Sequence, residues 1–173
     1  MKKIGKINEF SVYKLTKKLA EEHASTLAQI ADQIPLVDYT EKDILAENKG
    51  DRILHGRWDH SLIVFDQSKP IAFIMGYERE KEDNDQYPEN SLYISELGVL
   101  KTYQKQGIGK QLVKTFLELN KQLLHLDGKM VYSIQTNSAD FNQHVQDLYK
   151  SFGFKHQANK EYDNRIDVVL VKK

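Results

Sequence analysis

Tyr93-Ile-Ser-Glu-Leu-Gly-Val99, then Leu100-Lys-Thr-Tyr103, then Gln104-Lys-Gln-Gly107-Ile-Gly109-Lys110 is the stretch on which the fold turns. Its first part is compact and apolar enough for a strand, running from Leu92 to about Val99. Beyond the glycines come Leu112, Val113, Phe116, Leu117, Leu119, Leu123 and Leu124, the apolar stripe of a helix expected to end near Gly128. Gly107 and Gly109 lie at the junction, where a helix start presents unpaired backbone N–H groups and the positive end of its dipole to an anion. Lys105 or Lys110 would add charge. The glycines alone fit either such a cradle or a plain strand-to-helix turn. The spacing is neither that of a P-loop nor that of a dinucleotide fingerprint, whose third glycine position holds Leu112.

Outward from this turn the pattern alternates. Ser61–Phe65 and Pro70–Tyr77 read as two apolar strands of a hairpin joined at Asp66–Lys69. Residues 78–90, polar and containing Pro88, read as a solvated loop, ordinary surface with the shaping of a substrate entrance as the other reading. Met130–Ile134 and Asp167–Val171 read as strands, with a weaker one at Phe154–Lys160 and a helix over residues 141–152. Upstream, residues 3–7 fit a short strand. Val12, Leu15, Leu19, His23, Leu27, Ile30 and Ile34 then recur at three- and four-residue spacing, predicting one long helix capped by Ser11 and stopped by Pro35. His23, on that stripe, reads as a packed residue. Thr40-Glu-Lys-Asp43 resembles a capping box and predicts a short second helix. The expected class is α/β: a central twisted mixed, mostly antiparallel sheet of six to seven strands flanked by helices, in a single domain over residues 1–173.

Composition narrows the function. A chain of 173 residues can bury roughly 70% of its unfolded surface, so it needs no metal to fold. It has no cysteine, which excludes disulfides, thiolate metal clusters and a cysteine nucleophile, and suits a cytoplasmic setting. Its 25 basic and 25 acidic side chains cancel, which disfavours general affinity for nucleic acid or an anionic membrane. The amino terminus lacks the apolar run of a signal peptide, and no segment reaches 18 apolar residues. Metal-binding histidine motifs and the Gly-x-Ser-x-Gly esterase elbow are missing. His55-Gly-Arg-Trp-Asp-His60 reads as a structured loop before a strand, with an acceptor-pocket wall as the other reading.

Gln104, Gly107 and Gly109 fill the pattern [Arg/Gln]-x-x-Gly-x-[Gly/Ala]. A second block, Asn142-x-x-Val145-x-x-Leu148-Tyr149-x-x-Phe152-Gly153-Phe154, comes after it in order. Together these blocks resemble the GNAT superfamily of acyl-coenzyme A-dependent N-acetyltransferases over about residues 60–156, with Val145 where the family more often has alanine. The first 60 residues fit loosely, in the region where such enzymes vary their acceptor site.

The resemblance implies acetyl-coenzyme A as acyl-donor co-substrate, no metal, and transfer to a primary amine by direct attack. Leu97, Gly98 and Val99 would supply the strand edge for the pantetheine arm, with Gly98 marking either a bulge or a packing concession. The amides of Lys105, Gln106, Gly107, Ile108, Gly109 and Lys110 would form the pyrophosphate cradle, Gln104 of the same motif would belong to the cofactor site, and Asn142 would contact the cofactor arm. Tyr149 would protonate the leaving thiolate, the other reading being a core tyrosine bonded to a carbonyl. Glu96 is the candidate base for the amine, directly or through water; alternation puts it with Ile94 and Gly98, facing either the cleft or solvent. A backbone N–H near Val99 would serve the oxyanion. The acceptor is a small-molecule amine or a protein or peptide amine, and the family suggests a homodimer. A non-enzymatic acyl-coenzyme A-binding or regulatory module is the alternative reading.

Overall fold

A computed structural model describes residues 2–33, 39–80, 90–121 and 131–173, without the side chain of Phe141. The described strands include eight of one mixed sheet, with helices, so the α/β class is as expected and the strand count is higher than the six to seven read from sequence. A separate two-stranded ribbon pairs β3 (Asn48–Lys49) with β4 (Arg52–Ile53), an element the sequence does not signal. The chain divides into two compact units, one of residues 1–77 and 96–119, the other of residues 78–95 and 120–173.

In the first unit, β1 (Lys3–Ile7), β2 (Phe10–Lys14), β5 (Leu62–Asp66) and β6 (Lys69–Arg79) pair in that order, each antiparallel to the next. The β5–β6 hairpin turns where expected, with Gln67 in the left-handed region at φ 53°. Strand β6 runs on through Glu78 and Arg79, where the sequence reads as loop; residues 81–89 of that loop lie outside the described residues.

The long first helix is the main correction. Residues 10–14 form β2, and the helix α1 begins only at Lys17, running to Ala31. Thr16, not Ser11, is its cap, its hydroxyl accepting from the Leu19 amide. Phe10 and Val12 are buried while Ser11 and Tyr13 are half-buried, the two-residue alternation of a strand bonded on both sides. Val12, Leu15 and Leu19 happen to keep helical spacing across the boundary, which is how the pattern misleads. Ile34 and the expected stop at Pro35 lie outside the described residues.

Helix α2 (Glu41–Leu45) starts as predicted, with a full capping box: the Thr40 hydroxyl accepts from the Asp43 amide, and the Asp43 carboxylate accepts from the Thr40 amide at 2.8 Å. The core of this unit packs Leu19, Leu27 and Ile30 of α1 and Ile44 of α2 with Ile63, Phe65, Phe73 and Met75 of β5 and β6. His23 stacks edge-on against Phe65, with centroids 5.2 Å apart, a packing residue as read.

In the second unit the first residues of β7 (Ser91–Val99) pair parallel with β8 (Val131–Asn137). Strand β10 (Arg165–Lys172) is antiparallel to both β8 and β9 (Lys155–Tyr162). Val131, Val169 and Val171 form a small core against Tyr93 and Ala158. The late helix is shorter than the sequence suggests: α5 spans Gln143–Lys150, after a tight turn at Asp140–Asn142. Among the described residues no helix is long and apolar enough to cross a membrane.

Candidate active site

The glycine turn lies in the first unit. Strand β7 ends at Val99, a single 3-10 turn covers Lys101–Tyr103, and the helix α4 runs from Ile108 to Asn120; Leu123, Leu124 and Gly128 lie outside the described residues. Gln104 shapes this turn by donating its side-chain N–H to the Val99 carbonyl at 3.0 Å. The backbone then passes through the left-handed region twice, at Lys105 (φ 63°) and Gly107 (φ 76°). Left-handed and right-handed residues in succession turn consecutive N–H groups toward one side, a concavity suited to an anion. The first helical hydrogen bond runs from the Gln111 amide to the Gly107 carbonyl at 3.0 Å, so the amides of Ile108, Gly109 and Lys110 open the helix without intrahelical partners. Among the described residues, a Cβ added to Gly107 would meet only the Gln111 side-chain nitrogen, at 3.9 Å, so the backbone there is open to a close approach.

Asn8, at the tip of the β1–β2 hairpin with φ 54°, braces the turn. Its side-chain N–H donates to the Gln106 carbonyl at 3.4 Å, and its side-chain oxygen accepts from Gln111 at 3.0 Å. The Gln106 carbonyl is thereby directed toward Asn8. Nothing in the sequence near residue 8 points to this, because the partners are 98 and 103 positions away.

The burial of Glu96 decides which way its strand face points. Along β7 the even-numbered residues Ile94, Glu96 and Gly98 are buried and the odd-numbered Tyr93, Ser95, Leu97 and Val99 half-buried. Glu96 is only 6% exposed. A buried carboxylate needs partners, and two come from other elements. The Tyr39 hydroxyl, just before the α2 cap, donates to Oε1. Arg57, at the start of α3 (Arg57–His60) and 4% exposed, brings Nη2 to 3.8 Å from Oε2. The same Nη2 donates to the Asp43 and Ile44 carbonyls at 3.3 and 3.4 Å and lies 3.6 Å from the Met75 sulfur. Burial, reinforced by the Glu96 charge, holds the Tyr39 phenol well above its ordinary pKa, so it remains a neutral donor.

Arg57 belongs to the segment read as a loop, which is in fact a short helix. Gly56 at φ 67° turns the chain into α3, and the Ser61 hydroxyl accepts from the Gly76 amide while donating to the Arg57 carbonyl, tying α3 to β6. Sequence reasoning missed both Tyr39 and Arg57. The available signals were indirect: a tyrosine beside a capping box, and an arginine within an otherwise packing-rich His-Gly-Arg-Trp segment. Gly98 resolves to a packing role. A Cβ there would sit 2.7 Å from Ile30 Cγ2 and 2.9 Å from Phe73 Cε1, so α1 and β6 close on this strand only because the side chain is missing.

The second block forms its own arrangement in the other unit. Asn142, Gln146 and Tyr149 are the buried stripe running from the α5 cap along the helix. Asn142 directs its side-chain N–H groups to Thr136 Oγ1 and, at 3.1 Å, to the Asn137 carbonyl, pinning the helix start to the end of β8. Among the described residues no hydrogen bond engages its side-chain oxygen, which can accept from an N–H donor. Tyr149 packs edge-on against Phe154 with centroids 5.3 Å apart, and burial holds its phenol well above the ordinary value. No hydrogen bond among the described residues engages its hydroxyl. The Phe154 amide returns to the Tyr149 carbonyl at 3.3 Å past Gly153 (φ 87°), so the glycine-phenylalanine pair closes the helix and supplies the ring that flanks Tyr149.

A glycine turn opening a helix after a strand, and a later helix carrying asparagine and tyrosine on one buried stripe, define the class of protein. The chain matches the acetyltransferase (GNAT) family over residues 20–154, more than three quarters of its length, and belongs to that family. No curated protein sequence matches it. Among solved structures it is similar to Naa50 from Arabidopsis thaliana, in complex with the bisubstrate analogue CoA-Ac-MVNAL: 17% identity, TM-score 0.65, 95% of this chain and 98% of that one covered. It is similar also to Ard1 from Thermoplasma volcanium, at 18% identity and TM-score 0.69 over 94% of this chain and 96% of that one. A third is NAA60 from Arabidopsis thaliana in complex with acetyl-CoA, at 20% identity and TM-score 0.64 over 94% and 98%. At these identities the likeness is one of fold.

Proposed function

We propose that this acetyltransferase moves the acetyl group of acetyl-coenzyme A to the primary amine of a peptide or small molecule by direct attack, without a covalent enzyme intermediate. The observation that carries this reading is the amide-lined turn at Gly107, open beside its backbone, at the start of α4. That turn suits a pyrophosphate, with the amides of Ile108, Gly109 and Lys110 facing the charge and Lys105 and Lys110 beside them. The solved relatives holding acetyl-CoA or a coenzyme A bisubstrate analogue support the donor, and the peptide in that analogue favours a peptide amine as acceptor.

Each residue then has a task. Leu97, Gly98 and Val99 offer backbone groups to the pantetheine arm, and Asn142 accepts an amide N–H through its side-chain oxygen. A backbone N–H near Val99 stabilises the oxyanion as the amine adds to the thioester carbonyl. Glu96 takes the proton that an ammonium must lose before it attacks. Tyr149 gives a proton to the departing thiolate, a task for which a neutral phenol is suited and a carboxylate is not. The protein otherwise supplies proximity.

The test is thiol release from acetyl-coenzyme A in the presence of free-amino peptides, polyamines, amino acids and aminoglycosides, with mass analysis of the products. Acetylated product with one amine class is the expected result. Tight coenzyme A binding with no thiol release for any acceptor would instead mark a binding module.

A further inference from the structure

Glu96 is a proposed base that an acceptor amine has difficulty reaching. Its carboxylate is buried, with Oε1 held by the Tyr39 hydroxyl and Oε2 beside the Arg57 guanidinium. Of those two partners, the guanidinium stays protonated and cannot pass a proton on. The phenol can: its oxygen accepts one hydrogen bond while its O–H donates another. Tyr39 is also the less buried end of the pair, and it leads directly into the cap of α2.

Resting on the reading of Glu96 as base, we propose that Tyr39 is a further catalytic residue, a relay that carries the acceptor's proton to Glu96. The ammonium N–H bond breaks as its proton moves to the Tyr39 oxygen, and the Tyr39 O–H bond breaks as that proton moves to Glu96 Oε1. The amine keeps the electron pair with which it attacks the thioester carbonyl, tyrosine ends as neutral as it began, and Glu96 ends protonated. The return of that proton by the same route resets the pair. Arg57 is the positioning residue: its bonds to the Asp43 and Ile44 carbonyls fix Glu96 against α2, the helix that Tyr39 leads into. Packing of the Tyr39 ring against the core keeps the relay in one place.

The experiment compares Tyr39→Phe, Glu96→Gln and the double variant in single-turnover acetyl transfer to whichever amine the screen identifies. Folding and acetyl-coenzyme A affinity are checked first. Tyr39→Phe keeps the ring, so both should survive, while the chemical step slows by about 10- to 100-fold. The double variant should be no slower than Glu96→Gln alone, because both changes cut one path. In mixtures of light and heavy water the wild-type rate should bow, with two protons moving, and the Tyr39→Phe rate should fall linearly. Should the phenylalanine variant not fold, fluorotyrosine at position 39 preserves the packing, and its altered phenol acidity should change the rate. A wild-type rate in Tyr39→Phe, or losses that multiply in the double variant, overturns the relay while leaving Glu96 as base. A wild-type rate in Glu96→Gln, or no transfer to any amine by the wild type, overturns the base reading and the relay with it.

Discussion

Glu96 and Tyr149 are both buried and both assigned proton transfer, yet their surroundings hold them in opposite ways. Glu96 carries a carboxyl group, and the fold meets it with a phenol from before α2 and a guanidinium from α3. Tyr149 is neutral and is held by packing, its ring against Phe154 and its hydroxyl engaged by no described residue. The difference comes from the cost of burial. An ion out of water needs compensating groups, whereas a phenol can be placed by its ring alone and keep its O–H for a reacting atom. The proposed base is therefore a cluster and the proposed acid a single side chain, which sets how each should respond to substitution.

The largest effect is expected at Tyr149, because a lone donor has no understudy. Tyr149→Phe should retain fold and acetyl-coenzyme A affinity and slow the chemical step on the order of 10- to 1,000-fold. Pre-steady-state kinetics at saturating amine would measure it, since slow product release can hide a chemical defect. Formation of product at the wild-type rate across the pH range would reduce Tyr149 to a packing residue and erase the contrast.

Glu96→Gln should cost less, about 10- to 100-fold, with cofactor binding preserved. The loss should be greatest on the acidic side of the profile, where fewer acceptor molecules are already neutral. Superimposable pH-rate curves for variant and wild type remove Glu96 from the base role. The proposed cradle should respond in affinity instead of rate. Gly107→Val, with its positive φ and blocked backbone, should weaken acetyl-coenzyme A binding about 10-fold, as measured by calorimetry. Gly5→Val, where a Cβ meets nothing within 4 Å among the described residues, is the control that should bind normally.

The smallest effect tests whether the α2 platform under the Tyr39–Glu96 pair matters to stability alone. Thr40→Ala removes the cap and should lower stability by about 1 kcal/mol in chemical denaturation. Hydrogen bonds from the Thr40 side chain and then its backbone hold the Asp43 carboxyl below its ordinary pKa. The unfolded chain therefore binds that proton more readily, so the box's contribution is present above the ordinary carboxylate range and is lost as pH falls through the folded value. The variant should show a weaker acid dependence than wild type. An unchanged slope would mean that the Thr40–Asp43 bonds do not persist in solution.

How much of this is legible depends on distance along the chain. The Gln104–Lys110 turn, the Thr40–Asp43 box and the stripe of Asn142 and Tyr149 are each set by neighbours within about two helical turns, and each stands where the sequence places it. Residues 10–14 mislead because the three- and four-residue spacing from Val12 through Leu19 is shared by a strand end and a helix start. The sheet decides between them: β2 is bonded to β1 on one side and to β5 on the other, and Ser11 of β2 pairs with Phe65, far downstream.

The carboxylate cluster shows the same division most sharply. The sequence by itself determined that residues 92–99 form a strand, that Glu96 shares a face with Ile94 and Gly98, and that a glycine turn and a helix come next, because these depend on local periodicity and backbone freedom. Only the tertiary structure decided which way that face points and that Tyr39 and Arg57 meet on Glu96. Tyr39 stands 57 positions from Glu96 in the chain, and the strand's inward face is fixed by Ile30 of α1 and Phe73 of β6 closing on Gly98. A buried charge selects its partners by position in space, and no local pattern records that choice.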